Sequence, residues 1–579
     1  MKPRLFSLCV TAAVCLLTGS PVFAAHEFGD IAVTVTPRPG ERAHGYAEYR
    51  VVVTNRSRTE AHEVTLTAPH PNASGSLLEV TRSIRVEPSS TVAASLFAPA
   101  GLYGAGLGIA IDGSIEREVI PMNLDQHTYE GRPSVLISRG ALNAGFRSAS
   151  EAELKNPTGE LAHKSVASES PVADWSDNWL GYSGYDGVVV TASELAGMPA
   201  PISTALWQYV ECGGSLLVVG SHEPPQPWRD RKLEGVPLAT YHVGFGQCVL
   251  SNTTDLRSLA KGQWEYAASS WEAAQKPWRS AAGIDVNRSF PVTENVSVPV
   301  RGMFLVMLIF VALIGPVNVF VLWRKKKRMW LLWTVPLISF VTCLGVSAFS
   351  IASEGWGGRA RTAGFTILDE TSHRATTIGM TAFYAPLTPG DGLHFSYETE
   401  VSTPTPLYDF SYSRGPGFRS IDWSRDQHLE TGWVMARRPA HFMIRRSESR
   451  RERMVINRAP DGSLSVVNGL GADVRRLWLA DKDGRVYEAK DIKAGATAGL
   501  TLAVPKKLAS GKVQDLRKPY TDDWTSMMKS VTNPSSLLRP GCYLAVLDSC
   551  PFIEEGLRGV KERRAEALVY GIMKASDEN

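Results

Sequence analysis

Two apolar runs, residues 303–323 and 329–351, flank the five consecutive cations Arg324-Lys325-Lys326-Lys327-Arg328. No other stretch constrains the fold as strongly. A helix rises about 1.5 Å per residue, so either run can cross a hydrocarbon core of about 30 Å. Five cations in a row resist translocation, which predicts a cytoplasmic loop at 324–328 between transmembrane helices at 303–323 and 329–351. Both ends of such a hairpin return to the outer side. Neither run carries a charged residue, which argues against a transport path built from these two helices alone. In the first run, Gly315-Pro316-Val317-Asn318 places a helix-disturbing proline beside a polar amide. Pro316 frees a backbone carbonyl and Asn318 is costly in lipid without a partner. The expected contact is with the second helix, around Ser339 and Thr342, with a partner protein as the alternative.

A chain of 579 residues is too long for one core, so several domains are expected. The charge is balanced, 61 Lys+Arg against 58 Asp+Glu, and no basic patch interleaved with aromatics occurs, so nucleic acid is not an expected partner. At the N-terminus, Lys2 and Arg4 precede an apolar segment at 5–17, and Val22-Phe23-Ala24 offers small residues at a cleavage site. Residues 1–24 read as a signal peptide cut after Ala24. Export plus a cytoplasmic basic loop predicts a bacterial inner-membrane protein with both large domains in the periplasm. Its partners are then the lipid bilayer and other envelope proteins. Cys9 and Cys15 leave with the signal, and Cys343 lies inside the second span. An oxidising periplasm permits one disulfide between Cys212 and Cys248 and one between Cys542 and Cys550; buried free thiols are the alternative in each region.

Residues 25–130 alternate apolar and polar side chains between turn residues, as in 31–36, 46–55, 62–68, 80–86, 91–97 and 107–111. That spacing predicts an antiparallel β-sandwich. Tyr49-Arg50-Val51-Val52-Val53-Thr54-Asn55 before a polar turn resembles the middle of an immunoglobulin-like or fibronectin-like module, a likeness that carries no function.

From Arg132 the period changes. Val135-Leu136-Ile137, Val188-Val189-Val190 and Leu216-Leu217-Val218-Val219 are short, continuous apolar runs, with a helical stretch at 201–211 and Gly213-Gly214 between the last two. Buried strands alternating with helices predict a parallel α/β layer over 131–290. Tyr185-Asp186-Gly187-Val188-Val189-Val190-Thr191, Ala205-Leu206-Trp207-Gln208-Tyr209-Val210 and Cys212-Gly213-Gly214-Ser215-Leu216-Leu217-Val218-Val219-Gly220 together resemble the class I glutamine-amidotransferase-like fold. The resemblance implies a nucleophilic cysteine in a tight turn after the strand, with a histidine and a glutamate from later in the chain. Here the turn reads Gly220-Ser221-His222-Glu223-Pro224-Pro225, and Cys212 precedes the strand. Ser221, His222 and Glu223 are the weak catalytic candidates, and being adjacent they cannot form a triad among themselves. Trp264, Trp271 and Trp278 recur at intervals of seven on a predicted helix ended by Pro277. A helix packed on the domain is the expectation, and an aromatic glycan platform the alternative.

The region 360–579 predicts a β-rich periplasmic domain, with strands at 365–368, 377–384, 393–401, 464–467, 475–480 and 500–504. Its tail is expected to carry helices at 522–529 and 560–574 around a strand at 542–547. The basic run 445–453 reads as a solvated strand edge diluted by Glu448 and Glu452, with anionic lipid or glycan as the alternative. The 12 His show no local ligand spacing, and the glycine-rich stretches Gly104-Ala105-Gly106 and Gly415-Pro416-Gly417 do not precede helices. No metal and no cofactor are therefore expected.

The fold class read from the sequence is a multidomain α+β membrane protein: β-sandwich, α/β amidotransferase-like domain, two transmembrane helices, β-rich C-terminal domain. That order resembles a group of uncharacterised bacterial inner-membrane proteins. The expected function is a non-enzymatic, membrane-anchored periplasmic scaffold or sensor within an envelope complex. The alternatives are a periplasmic hydrolase or amidase using the loop after 215–219, and an accessory subunit of a transport system.

Overall fold

A computed structural model describes residues 25–37, 44–69, 78–99, 105–123, 132–155, 161–168, 170–226, 228–281, 286–293, 300–326, 328–354, 357–404, 418–460, 462–503 and 538–574. The signal peptide, Lys327, the helix expected at 522–529 and the Gly415–417 turn lie outside them. The chain is strand-rich and multidomain, with several sheets and few helices.

The first sandwich opens with a four-stranded antiparallel sheet of His26–Phe28, Ile31–Pro37, Tyr46–Asn55 and Thr91–Pro99. Alternation along Tyr46–Asn55 turns Val51 and Val53 inward, where they meet Leu96 and, from the facing sheet, Val64, Leu66 and Val80. The facing sheet crosses the expected domain boundary. Its strand Leu78–Val86 pairs antiparallel with His62–Ala68 on one side and parallel with Arg419–Asp422 on the other. Gln427–Leu429 and Leu393–Phe395 extend it further. Residues 25–130 and the segment after the hairpin thus share one sheet, and Trp423 is fully buried in the sandwich core. Its ring lies 5.8 Å from that of Tyr46, edge-on, and 5.3 Å from that of Phe97. Tyr46 also donates a 2.8 Å hydrogen bond to the carbonyl of Val401.

The α/β region is a six-stranded sheet in the order Lys164–Ala167, Ser134–Ile137, Gly187–Thr191, Ser215–Val219, Gly246–Leu250, Ala239–Val243. All neighbours are parallel except the last pair. The central strands are buried on both faces, which is why they read as continuous apolar runs. Helix Lys261–Ala281 covers one face and runs past Pro277 rather than ending there. Trp264 and Trp271 are fully buried against Phe146 and His163, so these two rings are core and not a glycan platform.

The nine-stranded C-terminal sheet runs Glu400–Ser402, Ala440–Ser449, Arg374–Tyr384, Gly358–Asp369, Val560–Ile572, Cys542–Leu547, Val474–Ala480, Val486–Ile492, Thr501–Leu502. Two sequence expectations are corrected here. Residues 560–574, expected as a helix, form the strand Val560–Ile572, parallel to Gly358–Asp369 and antiparallel to Cys542–Leu547. The charged, alanine-rich start favours a helix locally, but Leu568, Val569 and Tyr570 are buried between two ladders, and that pairing outweighs propensity. The basic run is not a solvated edge either. Ala440–Ser449 is an interior strand, Arg445 is buried against Glu400 at 2.6 Å, and Arg446 and Arg450 both pair with Glu448.

The α/β region docks on this sheet through polar groups as well as apolar contact, with Phe245 edge-on to Phe365 at 5.4 Å. Glu211, at the end of helix Ala200–Glu211, accepts a 2.8 Å hydrogen bond from Ser447 and pairs with Arg374 at 3.1 Å. Arg445 donates to the Cys212 carbonyl at 3.1 Å. The largest apolar core runs through the sandwich, the α/β region and the C-terminal sheet without a break.

Candidate functional site

Three places bear on function: the crest of the α/β sheet, the helical hairpin and the cysteines. At the crest, the strand order reverses between Ser134–Ile137 and Gly187–Thr191, the point where open α/β sheets present a crevice. The protein fills this crevice with its own carboxylate. Glu194 accepts from the Ser138 hydroxyl (2.6 Å), the Gly140 amide (2.8 Å), the Thr191 amide (3.0 Å) and the Thr191 hydroxyl (2.9 Å). These bonds cap the helices Arg139–Asn143 and Ala192–Ala196, so the carboxylate stands where a ligand anion would otherwise meet helix amides. A Cβ on Gly140 would come within 2.5 Å of it, so the approach depends on glycine.

The sequence candidates lie one loop further on and do not converge. Ser221 is exposed, and His222 stacks on Trp207 with centroids 6.2 Å apart. Burial holds the His222 imidazole below its ordinary value, and Glu223 turns away to Arg229 at 3.1 Å. In this turn the left-handed φ falls on Gly220, at 106°, whose amide donates to Ser251. Pro224 and Pro225 follow, and only the short turn Trp228–Asp230 forms where a nucleophile elbow would continue into a helix. The three side chains therefore make no base–nucleophile pair.

The hairpin comprises Val300–Ala312, a π-helical turn Leu313–Val317 around Pro316, Asn318–Arg324, and then Leu331–Glu354. The π turn takes up the backbone disturbance of the proline without breaking the rod. One helical stretch, Met307–Arg324, is long and apolar enough to cross a membrane by length and composition, and Leu331–Val346 is a shorter apolar stretch. Asn318 donates to the Thr334 hydroxyl at 2.9 Å, not to Ser339 or Thr342. In antiparallel helices joined by a tight turn, facing residues lie equally far from that turn, and Thr334 satisfies this where the other two do not. Phe304, Leu308, Val311 and Phe320 on one arm and Leu332, Trp333, Leu337 and Phe340 on the other are exposed, Trp333 by 81%. Arg324, Lys325 and Lys326 are exposed at the tip beside Trp323 and Trp330.

The two ends of the hairpin meet. Phe290, just before it, accepts from His441 at 3.0 Å and carries Arg361 over its ring at 4.4 Å. Arg361 also donates to the Pro291 carbonyl at 3.1 Å.

Of the two alternatives the sequence leaves open, the structure has free thiols and not disulfides. Cys212, Cys248, Cys343, Cys542 and Cys550 are free thiols. Cys248 lies in the middle of its strand, and Cys212 follows the helix Ala200–Glu211. Burial pushes both thiols up, Cys248 to about 12. Cys542 accepts from Arg231, whereas Cys550 donates to the Glu566 carbonyl, so the two sulfurs face different partners.

One set of residues escaped the sequence. Cross-strand pairing brings His394 opposite His428. Local spacing along the chain contains no trace of it, because the pairing is made by the sheet.

No family model and no curated protein matches the chain. Among solved structures, a selenomethionine-labelled β-glucosidase from Kluyveromyces marxianus is 7% identical, over 79% of this chain and 46% of that one, with a TM-score of 0.09. The same enzyme in complex with glucose is 8% identical, over 84% and 53%, with a TM-score of 0.10. The chain spans about half the length of these proteins, and a likeness at this level carries no argument.

Proposed function

We propose that the protein is a scaffold or sensor anchored in the bacterial inner membrane by a two-helix hairpin, with both large flanks in the periplasm and with other envelope proteins as partners. The observation that carries this reading is the meeting of the two flanks. Leu78–Val86 pairs with Arg419–Asp422, and Phe290 docks against Arg361 and His441. Two segments hydrogen-bonded in one sheet lie on one side of any bilayer, so the chain between them crosses an even number of times or not at all. The exposed apolar side chains on both arms favour crossing, since a soluble protein would bury them. Exposed cations and tryptophans at the tip suit a cytoplasmic turn at the lipid interface. A binding role is favoured over catalysis because Glu194 fills the crest and Ser221, His222 and Glu223 diverge.

Membrane-impermeant thiol labelling in cells with a permeabilised outer membrane tests the topology. With Cys343 replaced, Asp483→Cys should label in intact spheroplasts and Lys326→Cys only after lysis. Equal labelling of both would overturn the anchor. Crosslinked purification against a hairpin-deleted form tests the scaffold role, which a preparation without reproducible envelope partners would overturn.

A further inference from the structure

His394 and His428 stack face to face, with ring centroids 4.1 Å apart and planes inclined by 11°. They lie on the short strands Leu393–Phe395 and Gln427–Leu429, at the end of the sheet that the two flanks share. Asp426 accepts from His394 Nδ1 at 2.9 Å, which fixes the ring and turns Nε2 inward. That Nε2 is shielded from solvent and makes no well-directed hydrogen bond, although the Asp391 carboxylate lies 3.3 Å away. His428 Nε2 lies 3.0 Å from the Asp391 backbone carbonyl. Asp391, His394 and His428 each bring a ligand atom within 4.8 Å of the others. Arg558 holds the second oxygen of Asp391 at 3.1 Å, leaving the first directed at the histidines.

We propose that Asp391, His394 and His428 form a site for a divalent transition-metal ion, with Zn²⁺ the best match to two imidazoles and one carboxylate. Three protein ligands leave a fourth, solvent-facing position, which suits a tetrahedral ion with one water. Asp426 acts as the outer partner that orients His394 and raises its basicity, the arrangement in which a carboxylate holds the far nitrogen of a ligating histidine. Metal binding would exchange the 3.3 Å ion pair of His394 Nε2 with Asp391 and the 3.0 Å contact of His428 Nε2 for bonds to the ion, and would turn the two stacked rings so that their nitrogens converge. Gln427–Leu429 lies between Leu393–Phe395 and Arg419–Asp422, which pairs with Leu78–Val86, so the ion would tie together the outer strands that extend the first sandwich.

The test is titration of the detergent-solubilised full chain, stripped with chelator, with Zn²⁺ alone by calorimetry, and with Co²⁺ by visible absorption. Saturable binding of about one ion per chain is expected, with an intense tetrahedral Co²⁺ band and a rise in Tm on metal addition. Affinity should fall at least about 100-fold in His394→Gln and in His428→Gln, and about 10- to 100-fold in Asp426→Asn. Circular dichroism of the metal-free variants checks folding, and Asp391→Asn, at an exposed position, gives an independent loss of binding should a histidine variant fail to fold. Absence of saturable binding would overturn the site. So would binding lost in His428→Gln yet unchanged in His394→Gln, because the ion would then sit with Asp422 and Glu430 on the other side of His428.

Discussion

Two of the joints that hold the strand-rich body together differ in chemistry. The first sandwich accepts the returning chain through apolar packing: Trp423 between Tyr46 and Phe97, with a ladder of backbone bonds beside it. The α/β region meets the C-terminal sheet largely through buried polar groups: Arg445, held by Glu400 of the same sheet, on the Cys212 carbonyl, and Glu211 shared by Arg374 and Ser447, beside apolar contact such as Phe245 on Phe365. Apolar burial rewards any well-filled arrangement. Buried ions are costly in every arrangement but the one that pairs them. The apolar packing therefore supplies cohesion, and the buried charges of the second joint set the angle at which two bodies sit.

This contrast can be broken at several points. Arg445→Ala should have the largest effect, a loss of about 5 kcal/mol, because it leaves Glu400 buried and unpaired and also removes a donor from the Cys212 carbonyl. Denaturant unfolding followed by tryptophan fluorescence measures it. Replacing the pair together, Arg445→Met with Glu400→Leu, should recover most of that loss, and failure to recover it would show that the charges contribute more than orientation. Trp423→Ala should cost about 4 kcal/mol in the same assay, through the cavity left in the sandwich, and no double replacement should rescue it.

Acid acts inside the α/β region. Burial, reinforced by Arg132, lowers His163 from its ordinary 6.5 to about 4. Between those values the unfolded chain binds the proton that the folded chain refuses. The stability contributed by neutral His163 is complete above about pH 6.5 and is lost as pH falls toward 4, by up to about 3 kcal/mol. A His163→Phe variant should show a flatter stability profile across that window in pH-resolved thermal melts. The smallest effect belongs to the hairpin. Asn318→Leu removes the bond to Thr334 and should weaken helix association by about 1 kcal/mol or less, read by unfolding in detergent.

The sequence revealed whatever depends on local pattern. The alternation of Tyr46–Asn55 and the continuous apolar run Ser215–Val219 each identify a strand and its kind of burial, because side-chain period follows directly from backbone geometry. It concealed whatever depends on a distant partner. Val560–Ile572 looks helical until two neighbouring ladders are supplied, and Arg419–Asp422 has no reason to be a strand without Leu78–Val86. Glu194 is legible as a helix cap beside Thr191, but its reach to Ser138 and Gly140 exists only once two parallel strands lie side by side. The stacked histidines are hidden for the same reason.

The pairing of Leu78–Val86 with Arg419–Asp422 also dictates an order of events during synthesis. Thr81 and its partner Asp422 are separated by 341 residues, with the whole hairpin between them. At translation rates of about 5–20 residues per second, the edge of Leu78–Val86 stays open for tens of seconds after it emerges. An open edge beside an unfilled aromatic pocket is a template for wrong pairing. The domain made first thus stays incomplete until after the α/β sheet that follows it in the chain has been made. Its maturation waits until the helical hairpin has been made and the returning chain has followed it, which makes a closed first sandwich a sign that the chain has passed the hairpin.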